Sequence, residues 1–164
     1  MTFEAATKKL SGKFSQLVFV IIFSVIKISK ASKNTTKDWS EEEWHNVDLA
    51  HYGRRVEWND HKFRFKATEN GKILGLISGD VESGILYIGA IITTESARGK
   101  GIGTMLMKRV EEFGKKHGTH RIWLVTGKDW SENAFYKKLG FKLEGVLPDF
   151  HFHKDFVIYT KRIN

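Results

Sequence analysis

The stretch "YIGAIITTESARGKGIGTMLMKRVEEF", Tyr87 to Phe113, constrains the fold more than any other part of the chain. Its apolar, β-branched start reads as a strand. Gly99, Gly101 and Gly103 follow, and then Ile102, Leu106, Val110 and Phe113 recur at helical spacing. Lys108/Glu112 and Glu111/Lys115 stand four apart on the wet side of that helix, and Gly118 is its natural stop. A strand that enters a helix through a glycine turn brings free backbone N–H groups and the positive end of the helix dipole to one spot. Arg98 and Lys100 add positive charge beside it. The junction therefore predicts an anion-binding turn; a glycine turn without a ligand is the alternative. It is not a P-loop, because G-x-x-x-x-G-K-[ST] is absent. Nor does it make a dinucleotide fingerprint, because Thr104 stands where the third glycine of G-x-G-x-x-G belongs.

The flanks predict how this junction is housed. "KFRFKATENGKILGLISGDVESGILYIGAIIT" carries three strand-like runs separated by "ENGK" and "DVESG", both hairpin signals. Phe63, Phe65 and Ala67 show the period of two. Upstream, "FSVIKISKAS" reads as a first strand, and "WSEEEWHNVDLAHYGRRVEW" as a helix opened by a Ser40/Glu43 capping box. Trp44, Val47 and His51 fall near one of its faces. Downstream, "HRIWLVT" is a strand, and "DWSENAFYKKLGF" a short helix with Asp129 and Glu132 as its capping box and Gly140 at its end. "FKLEGVLPDFHFH" and "DFVIYTKRI" close the chain as two strands. The order predicts a mixed α/β domain.

Composition narrows the chemistry. At 164 residues, with 12 Phe and 5 Trp, the chain suffices for one domain with a substantial core. It has no cysteine, which excludes disulfides, thiolate nucleophiles and cysteine zinc sites. The net charge of +8, from 27 Lys and Arg against 19 Asp and Glu, favours polyanionic partners, among them nucleic acid, acidic membrane or a phosphorylated cofactor. The positives are spread along the chain, so a solvated basic surface accounts for them equally well. "LVFVIIFSVI", Leu17 to Ile26, follows Lys8, Lys9 and Lys13 and superficially resembles a secretory signal. It falls short of the roughly 20 residues a spanning helix needs and no A-x-A-like cleavage site follows. It is read as a buried strand near the start of the fold, with residues 1–22 an extension of uncertain role and residues 23–164 the domain; a signal peptide is the alternative. A cytoplasmic location is expected.

Arg98-x-x-Gly101-x-Gly103 matches the [RQ]-x-x-G-x-[GA] signature, and Tyr136-x-x-x-Gly140-Phe141 follows it. With the hairpin meander before the turn and the terminal strand pair, the sequence resembles the GNAT-type N-acetyltransferase superfamily over roughly residues 23–164. The resemblance implies a mostly antiparallel mixed sheet flanked by helices and splayed at the cofactor-binding strand. It implies acetyl-CoA as co-substrate, with its pyrophosphate on the amides of Gly99, Lys100, Gly101, Ile102, Gly103 and Thr104 beside Arg98. Ile91, Ile92 and Thr93 would pair through their backbone with the pantetheine arm. Tyr136 would lie near the sulfur. Asp129 replaces an Asn that often touches the cofactor, a departure that weakens it as a contact. The implied partners are acetyl-CoA and an amine acceptor, a small molecule or a peptide or protein; neither nucleic acid nor membrane is expected, and a homodimer is left open.

Acetyl transfer to an amine needs a neutral amine, a polarised thioester and a protonated leaving thiolate. An alkyl amine has a pKa near ~10.4, so a base or a desolvating pocket must help remove its proton. Backbone N–H groups of the splayed strand can stabilise the oxyanion. A tyrosine near ~10 can protonate a thiolate whose acid is near ~8.5, and Tyr136 fits that role; packing of its helix is the alternative. Some family members carry a glutamate base where this chain has Gly89. Glu95 reads as a solvated turn carboxylate, and Glu82, Tyr87, His151 or a water relay are left open as the base. "DFHFHKD" would place His151 and His153 on one strand face near Asp155, a weak metal pattern without a third spaced ligand, and no metal is expected. Trp39, Trp44 and Trp58 flank the first helix as core residues or as walls of an acceptor site. A CoA-binding sensor, a nucleic-acid module on the same fold and a longer acyl donor are the competing functions.

Overall fold

The computed structural model describes residues 26–163. The 17–25 part of the apolar run and the extension 1–22 lie outside them. Contacts divide the chain after Asn46 into two units. The first holds an irregular segment, 26–32, and the start of helix α1, Lys33–Tyr52. The second carries strands β1 Asp60–Glu69, β2 Lys72–Glu82 and β3 Ile85–Thr93, helix α2 Ile102–Lys116, and strand β4 Arg121–Gly127. Helix α3 Asn133–Lys138 and strands β5 Lys142–Leu147 and β6 Phe156–Arg162 complete it.

Six strands form one sheet in the order β1-β2-β3-β4-β6-β5. All pairs are antiparallel except β3–β4, which α2 joins as the crossover a parallel pair requires. The two hairpins behave as their sequences predict. Asn70 and Gly71, then Ser83 and Gly84, all take positive φ, the two-residue turn whose twist matches the strands. Register then sorts the side chains. Ile77, Val81, Leu86, Ile88, Ile122 and Leu124 share one buried face and pack with Leu106, Met107 and Val110 of α2. Fully burying such a side chain contributes about 1.5–3 kcal/mol, so this layer is the main source of stability. Lys161 donates to Glu111 at 2.7 Å and ties α2 to β6.

Three local expectations are corrected. The described part of "FSVIKISKAS" is not a strand: 26–32 form no regular structure, and Ile26 and Ile28 are exposed. Helix α1 starts at Lys33 rather than near Ser40. The Thr35 N–H donates to the Ser32 hydroxyl at 3.4 Å, while Ser40 sits inside the helix and bonds back to the Lys37 carbonyl. The first turns carry no apolar period, so nothing in the pattern marked them. Third, "DFHFH" is not strand. Phe152 and His153 take φ 52° and 57° in a short 3-10 turn between β5 and β6.

Candidate functional site

The site begins with one extra residue in β3. Ser78 pairs with Ala90 and Gly79 with Ile88, which leaves Gly89 bulged out of the ladder. The bulge shifts the alternation: Leu86 and Ile88 face the core before it, Ile91 and Thr93 share that face after it, opposite Ile77 and Gly75. Gly79 is required across from the bulge, because a Cβ there would run into the Tyr87 carbonyl and come within 2.9 Å of the Phe63 ring. Pairing of β3 with β4 stops at Ile88/Leu124. From Gly89 to Thr93 the edge of β3 that faces β4 therefore has no strand partner. Those N–H and C=O groups are free to pair with an extended ligand.

The glycine turn completes the site. Gly101 caps α2 in the left-handed region at φ 80°, no side chain caps the helix, and the first helical bond is from Met105 N–H to the Gly101 carbonyl. The N–H groups of Ile102, Gly103 and Thr104 thus have no partner within the helix. A Cβ on Gly103 would press into the Phe135 ring at 3.1 Å, so this glycine lets α3 close on α2. A cavity of about 390 Å³ lies between the turn, the free edge and α3. Ile91, Ile92, Thr93, Arg98, Gly99, Gly101, Ile102, Gly103, Thr104 and Tyr136 all line it, and Lys100 does not. Ala97, Glu132 and Phe135 line it as well. Ala97 comes from the turn before Arg98, and the packing of α3 brings in Glu132, which reads as a cap in the sequence, and Phe135. The residues present suit a phosphorylated, extended acyl carrier: amides and Arg98 at one end, a free strand edge at the other.

Tyr136 is buried, with its ring against Phe135, Phe141 and Tyr159. Burial, and secondarily the Glu132 carboxylate, pushes its hydroxyl up to about 12, and no hydrogen bond contributes. This corrects the value near 10 assumed for an ordinary tyrosine. Glu132 makes no capping bond either. Asn133 organises the start of α3 instead, with its amide directed at the Gly127, Lys128 and Trp130 carbonyls at 2.9, 3.0 and 2.6 Å.

The histidine pair does not form the strand face expected of it. His153 Nδ1 lies 2.8 Å from Asp149 Oδ1, and His151 packs edge-on to Phe150 and Phe156. Asp155 accepts from Lys128 at 3.0 Å and from the Asp149 N–H at 3.1 Å, which hold its carboxyl below the usual range. Among the described residues no group of three or more His, Asp or Glu is arranged to hold a metal. None of their helices is long and apolar enough to cross a membrane.

Comparison with known proteins identifies the frame. The family model described as Acetyltransferase (GNAT) family matches residues 33–141. The chain is 29% identical over 87 residues to the blasticidin-S acetyltransferase of Streptomyces morookaense, covering 50% of this chain and 60% of that one. An acetyltransferase structure from Bacillus cereus superimposes with a TM-score of 0.65 at 22% identity, over 84% of this chain and 98% of the other. An aminoglycoside 6'-N-acetyltransferase complexed with coenzyme A gives 0.57 at 19% identity, over 77% and 85%. The splayed, mostly antiparallel sheet is the architecture these acetyltransferases share with it. The chain belongs to the GNAT acetyltransferase family, transferases whose co-substrate is acetyl-CoA.

Proposed function

We propose that the chain moves an acetyl group from acetyl-CoA to a primary amine of a small molecule or a peptide or protein. One observation carries the reading: a single cavity collects the free strand edge, the uncapped amides of α2 and Tyr136. A nitrogen acceptor is supported by the aminoglycoside 6'-N-acetyltransferase among the structural neighbours.

In this reading the N–H groups of Gly99, Gly101, Ile102, Gly103 and Thr104, with the α2 dipole and Arg98, hold the pyrophosphate, while Lys100, whose own N–H donates to the Ala97 carbonyl at 3.4 Å, adds charge from outside the cavity. Ile91, Ile92 and Thr93 orient the pantetheine arm along the free edge, and β3 N–H groups near the bulge face the thioester oxygen. The bound co-substrate supplies the acetyl group and leaves as a thiol. Tyr136 stays protonated across the physiological range because its hydroxyl is pushed up to about 12. A donor at that value does not hand its proton outright to a sulfur whose acid lies near ~8.5. It hydrogen-bonds to charge as it develops on the sulfur, and the proton lost by the nitrogen is the one the thiol finally carries. Gly89 has no side chain, so no base stands at the bulge itself.

Thiol release across amines, polyamines, amino acids, aminoglycosides and peptides tests this. Release that requires both acetyl-CoA and an amine is the expected result. Tight acetyl-CoA binding without turnover of any acceptor would make the chain a CoA-binding sensor instead.

A further inference from the structure

A second cavity, of about 570 Å³, opens on the sheet face opposite α2. Register builds its floor. Asp80 is the cross-strand partner of Tyr87 and Tyr87 of Trp123, so the three stand in one row across β2, β3 and β4, with Glu82 next along β2. The Tyr87 and Trp123 rings lie 4.6 Å apart. Tyr52 and Trp58, edge to face at 6.5 Å, supply a second aromatic wall. The cavity thus holds two aromatic pairs and two carboxylates, with Arg54 the one cationic side chain lining it.

The carboxylates set the charge. Among the described residues every ion pair uses another acid: Glu41, Asp60, Glu112, Glu144, Asp155, Asp149 or Glu111. Within the described residues Asp80 and Glu82 have no cationic partner, although the net charge of the chain is +8. Carboxylates beside π faces attract an organic cation twice, through charge and through the ring quadrupoles. The cleft also reaches the transfer point. A Cβ on Gly89 would meet Tyr87 Cε1 at 3.4 Å, so the Tyr87 ring runs from the cleft to the bulge. Tyr87 and Gly89 stand two positions apart along β3, roughly 7 Å of chain.

We propose that this cleft selects the acceptor, and that the acceptor is a small organic polycation with at least two amines. One ammonium is held by Asp80 and Glu82 against the aromatic walls, while a second amine extends past Gly89 to the thioester. The proposal rests on the transferase reading above for its second half, but the binding half stands alone.

Calorimetry with spermidine, 1,4-diaminobutane and butylamine tests the binding half, and thiol release with the same amines tests the rest. Wild type should bind spermidine and 1,4-diaminobutane more tightly than butylamine. Asp80→Asn should weaken spermidine binding at least about tenfold, the scale of one charge-assisted contact. Trp58→Leu should weaken it several-fold, with acetyl-CoA affinity kept in both variants as the check on folding. Spermidine that binds in this pattern while no amine at all is acetylated would leave the cleft assigned and sink the transferase reading. Spermidine that binds but is not acetylated while other amines are would overturn the claim that the cleft selects the acceptor. Turnover of other amines with no spermidine binding, or binding indifferent to both substitutions, overturns the cleft proposal and leaves the transferase standing.

Discussion

The two cavities on either side of β3 use different parts of the chain. On the α2 side the surface is mostly backbone: glycines, uncapped amides and a strand edge without a partner. On the other side it is side chains, two carboxylates and two aromatic pairs placed by cross-strand register. Backbone groups are the same in every residue, so a backbone surface suits a ligand that never changes. Side chains vary freely without disturbing the ladder, so the opposite face is where a substrate preference can be written. A family can therefore keep the first cavity and change the second.

The sharpest break between the two comes from the turn. Gly101→Val puts a β-branched residue at φ 80°, where it is strained, and it covers amides proposed to hold pyrophosphate. Several charge-assisted contacts are lost together, so acetyl-CoA affinity should fall by roughly a thousandfold in calorimetry. Spermidine binding should persist, which would show that the cavities are separable. If acetyl-CoA affinity is unchanged in the folded variant, the turn does not hold the pyrophosphate.

Gly79→Ala should instead damage both sides, because the new methyl meets the Tyr87 carbonyl and the Phe63 ring across from the bulge. Overpacking of this kind costs about 1–3 kcal/mol, read from denaturant unfolding. A variant as stable as wild type would show that the bulge tolerates a side chain there.

Tyr136→Phe acts on chemistry in the first cavity alone. Removing one donor aimed at developing charge costs ~10²–10³-fold, so a kcat loss of at least about tenfold is the floor, with the acetyl-CoA dissociation constant little changed. Full turnover, with release chemistry limiting, would leave Tyr136 as packing.

The smallest effect is alkaline. The Tyr136 pKa is raised by burial from 10.0 to about 12, so the folded state keeps a proton that the unfolded chain releases earlier. Its contribution is complete below about pH 10 and is lost as pH rises through 12. By pH 11 the linkage removes about 1.4 kcal/mol from wild type. Unfolding curves from pH 9 to 11 should show less of this loss in Tyr136→Phe, and identical slopes would place the hydroxyl in water.

Much of the fold was legible because it is written locally. "NG" and "SG" demand positive φ, the glycine turn demands close backbone approach, and the α2 face follows from spacing four residues apart. Errors arose where a local pattern imitated another element. "DFHFH" alternates like a strand, yet Lys128 and the Asp149 N–H converge on Asp155 and hold that segment in a turn. Ser40 and Glu43 have the spacing of a cap, but the chain was already helical seven residues earlier.

The sequence alone determined the element order of β1 to β6, the anion-ready turn at Gly99 to Thr104 and the place of Tyr136 on the short helix between β4 and β5. These depend on residues near each other along the chain. Tertiary structure decided the bulge at Gly89, the burial that raises Tyr136, and the row Asp80–Tyr87–Trp123. Each of those requires strands far apart in sequence to meet in one register, and a slip of one residue would turn the same side chains to the other face.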